Sequence, residues 1–446
     1  MSITRRVLNI GSSTPSFEAM DVSLEEEVIH AGEAQDELNN AEAESGEIER
    51  LQDVADQTAQ SVDYIETQIN NPEGGTGEAT QNEVALAEQV ANLATVGTGE
   101  DADTVMPSSE NYIGGQISCE GLKETVRSII RAIIAAIKKL WERLKKFWRA
   151  TMSRLSSLKK SAQDLKERAN KTTGTAKEKK VKISGSIAGL LAIDGSVQKE
   201  YGQLSSGLKA LDGRIKEAGV WSGKIADAGE SIADLIGDID PEKAAKEEAA
   251  FASKFGSKVK SLGDSFSGLT KSSDKRFADS KVEVESSKTL LGEKKLFQRA
   301  RKADGAAGSN VRTMGSLRCW LDASSDKVKD HNETEFAVIS PSNVGDLAED
   351  IITLCDAMAY YGEGKGLDKV EKASGKVEKA LEKLGRANDT DDAKGEDAAA
   401  LRRMISLGHA FNDWARNPTA SLVNHTCTVA RAVLTVGTKS LAQYSN

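Results

Sequence analysis

The sequence predicts a mainly α protein: an extended helical bundle with an acidic, partly disordered N-terminal piece and a C-terminal helical domain. Three observations predict it. Aromatic residues make up 4% of 446 and prolines number only six, a composition rich in Ala, Lys, Glu, Ser and Leu that favours long helices over a large sheet core. Apolar residues recur three or four apart over long stretches, the spacing of one helix face. Charge is also segregated. Residues 1–120 hold 25 acids against 3 bases and residues 121–446 hold 44 acids against 56 bases, so the net −10 conceals pieces of −22 and +12.

The acidic piece, 1–120, starts irregularly around Gly11, Ser12, Ser13 and Pro15. Ser23-Leu24-Glu25-Glu26 fits a capping box, and Leu24, Val28, Ile29, Ile48, Leu51, Val54, Val62 and Ile65 continue a helical pattern to about residue 70. Asn70-Asn71-Pro72-Glu73-Gly74-Gly75 breaks it. After a short helical stretch near 83–93, residues from about 94 to 120 are rich in Gly, Thr, Asp and Ser and read as an exposed linker. Such segments are where proteases find extended substrate.

Residues 121–170 form a long basic amphipathic helix, about 70 Å if unbroken. Val126, Ile130, Ile133, Ile137, Leu140, Leu144, Phe147, Leu155 and Leu158 share a face, which Ile129, Ile134, Trp141 and Trp148 widen beyond a coiled-coil seam. Opposite lie Arg127, Arg131, Lys138, Lys139, Arg143, Lys145, Lys146 and Arg149. Three readings fit this pattern. The helix is a core element with solvated bases, or it meets an anionic membrane surface with Trp141 and Trp148 at the headgroups, or its cations neutralise nucleic acid without reading sequence. Charges interrupt every window long enough to span a membrane.

Residues 171–305 read as a helical, partly flexible middle region. Lys171 to Lys182 is a charged break, and helical patterning follows through Ile183, Ile187, Leu190, Leu191, Val197, Leu204, Leu208, Leu211 and Ile215. Asp240 before Pro241 marks a helix start. Gly, Ser and Lys in 255–273 are expected to loosen the packing, and a charged helix is expected over 275–301. Residues 306–446 read as a C-terminal helical domain with helices at 311–328, 343–361, 367–384, 398–416 and 419–444; Pro341 and Pro418 stand near starts, Gly362 and Gly385 near ends. The last of these is the most apolar and reads as a buried central helix or, because Thr and Val recur, partly as a strand.

Catalysis has little support. Gly362-Glu363-Gly364-Lys365-Gly366 lacks the ending of a phosphate loop and reads as a helix-to-helix turn. His331, His409 and His425 show no metal-ligand spacing, and Cys119, Cys319, Cys355 and Cys427 are scattered. His425 near Cys427 reads as a packed or solvent-facing pair. No catalytic residue, metal or cofactor is expected. The N-terminus shows no apolar run of signal-peptide length, so a reducing interior is expected.

One short pattern stands out. Ser-x-Glu occurs at Ser16-Phe17-Glu18, Ser23-Leu24-Glu25, Ser45-Gly46-Glu47, Ser108-Ser109-Glu110 and Ser118-Cys119-Glu120, and not once after Glu120. Acidic serine-bearing segments generate such tripeptides by chance, yet here the last copy coincides with the charge reversal. With this motif and the basic helix beside it, the chain resembles the internal head proteins of phiKZ-like giant tailed bacteriophages. That resemblance implies an acidic propiece removed during capsid maturation by a prohead protease cutting after the glutamate of Ser-x-Glu. Carried to matching residues, Ser118, Cys119 and Glu120 would be recognised and the bond to Gly121 cut, with Glu18, Glu47 and Glu110 as secondary cuts. The resulting expectation is a structural virion protein of the head interior. It would be made as a precursor in the host cytoplasm and packaged, or packaged and ejected, with the DNA, alongside other head proteins. The alternative expectation is a membrane-active effector whose basic helix stays masked by the acidic segment until processing.

Overall fold

The computed structural model describes residues 119–277, 283–300, 311–324, 331–361, 366–388 and 396–444. The helices expected before residue 94 and the linker up to Ser118 lie outside them.

Helix α1, Cys119–Lys171, is one unbroken run of 53 residues. Along its second half Leu144, Phe147, Trp148, Leu155, Leu158, Leu165 and Ala169 are all buried, as the three-four spacing requires. Arg168 and Lys171 fall in its last turn, where cations complement the helix dipole. The backbone N–H and hydroxyl of Thr172 both donate to the Arg168 carbonyl, at 3.0 and 2.8 Å, and close the helix end.

The next segment departs from expectation. Ile183 belongs to strand β1, Lys180–Ile183, which pairs antiparallel with Thr334–Ala337 far along the chain. Helix α2, Gly185–Leu190, is followed by a tight hairpin of β2, Ala192–Ile193, and β3, Ser196–Val197. Asp194 and Gly195 both have positive φ, 49° and 75°, the requirement of a type I′ turn. An Asp-Gly hairpin therefore interrupts what reads by apolar spacing as continuous helix.

Helix α3, Tyr201–Asp238, opens on a capping box between Glu200 and Gln203. Asp240 accepts the Glu242 N–H at 3.2 Å ahead of a 3-10 turn, Pro241–Lys243, and helix α4, Ala244–Gly263. The start expected at Asp240-Pro241 is thus present. The loosening expected over 255–273 is not seen in α4, where Phe255 and Leu262 are buried.

The charged helix expected over 275–301 is replaced by sheet. Strands β4, Thr270–Lys271, β5, Glu283–Ser286, and β6, Lys294–Ala300, precede a four-residue helix α5, Val311–Met314, and β7, Arg318–Ala323. They form an antiparallel sheet in the order β4-β5-β6-β7. In β5, Glu283 and Glu285 are exposed while Val284 and Ser286 are buried, a period of two hidden beneath the charge density. The turn into β6 carries Gly292 and Glu293, both at positive φ, 79° and 57°. A Cβ at Gly292 would also fall 2.6 Å from the His425 ring, so glycine is needed for space as well as conformation. The expected 311–328 helix is correspondingly cut to α5, because Cys319 to Ala323 pair with β6.

The partner strand of β1 is β8, Thr334–Ala337, and after it the chain is helical: α6, Pro341–Met358, α7, Gly366–Asn388, α8, Glu396–Arg416, and α9, Thr419–Leu441. Ser340 caps α6 by accepting the Asn343 N–H at 3.3 Å with Pro341 in the first turn. Helix α9 resolves the helix-or-strand alternative in favour of helix. It is buried nearly all round, Thr426, Arg431 and Ser440 included, as an element surrounded by others must be. Residues 362–365 of the glycine-rich turn lie outside the described residues.

Helix α3 is the spine, touching α4, α6, α7, α8 and α9, while α1 lies along α6 and α9. Among the described residues a single cluster of buried apolar side chains runs from Leu144 through Leu441. Each fully buried Leu, Ile or Phe contributes about 1.5–3 kcal/mol. Among the described residues no helix is long and apolar enough to cross a membrane.

Candidate processing boundary and basic helix

Cys119, Glu120 and Gly121 are the first three residues of α1. Ser118 and the secondary positions Glu18, Glu47 and Glu110 lie outside the described residues. A helix end is the weakest place in a helix, because its first four N–H groups have no intrahelical partner and the first turn frays at little cost. Among the described residues the packed core begins at Leu144.

The basic face divides in two. Arg127, Arg131, Lys138, Lys139, Trp141 and Arg143 belong to the first half of α1, whose side chains lie outside the described set. In the second half several cations already have protein counter-ions. Lys145 bonds Glu142 at 3.0 Å and Glu371 of α7 at 3.2 Å. Lys159 bonds Asp356 at 2.5 Å and Lys166 bonds Glu349 at 2.7 Å, both acids on α6. Lys159 and Lys166 are one heptad apart, as are Glu349 and Asp356, and the pairing order reverses, so α1 and α6 run antiparallel with matched charges. The Lys145 ammonium is held above its usual range, its partial burial being outweighed by the two carboxylates. Lys159 is raised by its bond to Asp356. Arg154 turns inward and donates to the Asn424 side chain of α9 at 3.1 Å. Lys146 and Arg149, with Lys160, stay exposed and form no ion pair with a described residue.

Trp148 faces the core. It is 2% exposed, stacks on Tyr361 and meets Phe147 edge-on at 5.4 Å. In this fold its ring is taken up by the protein and does not reach a headgroup or a base. Above it a cleft of about 680 Å³ opens between α1 and the α6–α7 junction, rimmed by Lys145, Arg149, Lys159, Asp356 and Glu371. The rim charges are of both signs and largely paired.

The other chemistry-bearing residues are scattered. Cys319, Cys355 and Cys427 are buried free thiols, and burial pushes the thiols of Cys319 and Cys427 up. His425 is not a partner for Cys427: its Nε2 lies 2.7 Å from the Leu291 carbonyl, while Cys427 points at the Met358 sulfur at 3.9 Å. Among the described residues no group of three His, Cys, Asp or Glu could hold a metal ion. The counter-ions Glu349, Asp356 and Glu371 escaped sequence reading, although the heptad spacing of the first two is visible once α6 is known to face α1.

These features define a mainly α protein organised on one long basic helix, with its acidic complement upstream in the same chain. More particularly, a family model of phiKZ-like phage internal head proteins matches residues 33–439, and the chain belongs to that family. It is therefore a structural protein of the virion, located in the head interior. The match runs across Glu120, so acidic and basic pieces fall within one family pattern. No curated protein and no solved structure matches the chain.

Proposed function

We propose that this internal head protein is made as a precursor, is cut between Glu120 and Gly121 by the head's maturation protease, and then associates with packaged DNA through its basic helix, without catalysis of its own. One observation carries the reading: the chain's charge reverses at the last Ser-x-Glu, so a single cut removes a −22 piece and leaves a +12 product. The acidic piece would hold a basic partner neutral until the head is formed. The product would be attracted to phosphate with no base readout.

The fold supports this reading in two ways. The bond lies in the first turn of α1, where local opening presents an extended substrate. No described core residue precedes Leu144, so the cut leaves the described core intact. The membrane-active alternative needs the apolar face of the same helix, and from Leu144 to Ala169 that face is covered by the core. Burial thus favours DNA over a lipid surface as the partner.

The N-terminal sequence of the protein in purified virions tests the proposal. A start at Gly121 is expected. A start at Met1 or Ser2 would sink maturation cleavage and make the acidic piece permanent.

A further inference from the structure

Helix α4 repeats the outward face of α1. Offset by 100 residues, Lys146, Ala150, Ser153, Ser157 and Lys160 of α1 recur as Lys246, Ala250, Ser253, Ser257 and Lys260 of α4, and all ten are exposed. Each stripe is followed by an aspartate, Asp164 or Asp264. The inward phase recurs as well: Leu144, Trp148, Leu155 and Ala162 are buried on α1, and Ala244, Glu248, Phe255 and Leu262 on α4. Steps of three and four keep each stripe on one side of its helix, and at 1.5 Å per residue its two lysines stand about 21 Å apart.

The charges follow the same plan. Lys246, Lys254 and Lys260 are exposed and form no ion pair with a described residue, and residues 249–263 contain no acid. The two glutamates at the start of α4 are engaged elsewhere: Glu247 accepts the Asp240 N–H at 3.1 Å and Glu248 is held by Arg403. Lys258 turns instead to α3, donating to the Ser231 hydroxyl. Helix α4 packs on α3, α5 and α8, whereas α1 packs on α6, α7, α8 and α9. The two faces therefore belong to separate parts of the bundle, with α8 touching both helices.

We propose that α4 is a second phosphate-contacting face equivalent to that of α1, so that one processed molecule holds two segments of duplex DNA. The inference rests on the DNA reading given above and extends it from attachment to bridging. Exposed lysines with no protein counter-ion gain most from phosphate, because each contact releases condensed counter-ions from the duplex. The hydroxyls of Ser153 and Ser253, between the lysines, add donors for phosphate oxygens. Neither face needs to read a base.

A two-duplex capture assay tests this on the 121–446 product, which retains the whole described core. Protein is bound to an immobilised duplex, the excess is washed away, and capture of a second, fluorescent duplex of unrelated sequence is read. The wild type should capture it. Lys246→Gln with Lys254→Gln and Lys260→Gln should keep the first duplex bound through α1. Capture of the second should fall by at least about tenfold, since each lost phosphate contact takes about 0.9 from the slope of log affinity on log salt. Lys146→Gln with Arg149→Gln and Lys160→Gln should do the same from the other face. All six side chains are exposed, so unfolding midpoints should stay at the wild-type value. A wild type that binds the first duplex and captures no second, or an α4 variant that captures as well as the wild type, as bridging by self-association would, overturns this inference and leaves attachment through α1 standing. Failure of the wild type to bind the first duplex would sink the DNA reading and this inference with it.

Discussion

Trp148 stacks on Tyr361 with ring centroids 5.6 Å apart and planes 26° from parallel, and the Tyr361 hydroxyl donates to the Ile215 carbonyl at 2.7 Å. This contact ties the basic helix α1 to the spine α3 through the end of α6. Trp148→Ala should cost about 3–5 kcal/mol of unfolding free energy through the lost ring and the cavity left behind. Tyr361→Phe should cost only about 0.5–1.5 kcal/mol, the net worth of one hydrogen bond, because Ile215 lies inside α3 and its carbonyl keeps its place in the helix ladder. Urea unfolding midpoints check both, and a Trp148→Ala cost below about 1 kcal/mol would place the ring outside the core.

Among the described residues only part of the basic face is free to meet phosphate. Lys146→Gln and Arg149→Gln in the 121–446 product should each reduce the slope of log affinity for duplex DNA against log salt by about 1. Asp356→Asn with Glu349→Gln releases Lys159 and Lys166 from their counter-ions and should steepen that slope. Filter binding across a salt series distinguishes these outcomes; slopes unchanged in every variant would place this face of α1 off the DNA.

Stability should fall in mild acid before most carboxylates titrate. Burial lowers the pKa of His425 to about 4, and burial with Arg318 and Arg416 nearby lowers His409 to about 3, against about 6.5 unfolded. Between those values the unfolded chain binds more protons than the folded one, so stability is full above about 6.5 and is lost as pH drops through the window. Unfolding midpoints should decline from pH 7 to pH 5. His425→Gln, whose amide keeps a donor for the Leu291 carbonyl, should flatten that decline, and a level wild-type profile would contradict the assignment.

At still lower pH Asp413 adds its share. Burial alone would raise its pKa, but Arg318 and Arg416 outweigh burial and hold it below the usual carboxylate range. Its contribution is present above the unfolded value of about 3.9 and is lost as pH falls through the lower folded value.

Arg403 grips Glu248 with both carboxylate oxygens, Nε at 2.9 and 3.0 Å and Nη2 at 2.6 Å, joining α8 to α4. Glu248 is 4% exposed. Arg403→Met should therefore cost about 3–5 kcal/mol, because it strands a buried carboxylate. Arg403→Met with Glu248→Leu should recover most of that loss in the same unfolding assay, and a double variant as unstable as the single would count against the pairing.

Legibility in the sequence tracked the range of the interaction that decides each element. Local signals held: the three-four spacing of α1, the Asp240-Pro241 start, and the prolines ahead of α6 and α9. The sheet was missed where a period of two is short and crowded by charge, as in Glu283 to Ser286. The Asp194-Gly195 turn is a local signal too, passed over in favour of the longer apolar rhythm around it. The inward turn of Trp148 carried no sequence signal that separates it from Trp141, since both lie on the widened apolar stripe.

The sequence by itself determined the helical class, the acidic and basic halves and the boundary between them, because composition, periodicity and the placement of Ser-x-Glu are properties of neighbours along the chain. Only the tertiary structure decided which described cations of α1 find counter-ions on another helix. Lys159 and Asp356 are 197 residues apart and Lys166 and Glu349 are 183 apart, and those pairs exist because α1 and α6 pack antiparallel. Periodicity says that a face must be covered; it does not say by what, and the covering helix brings its own charges with it.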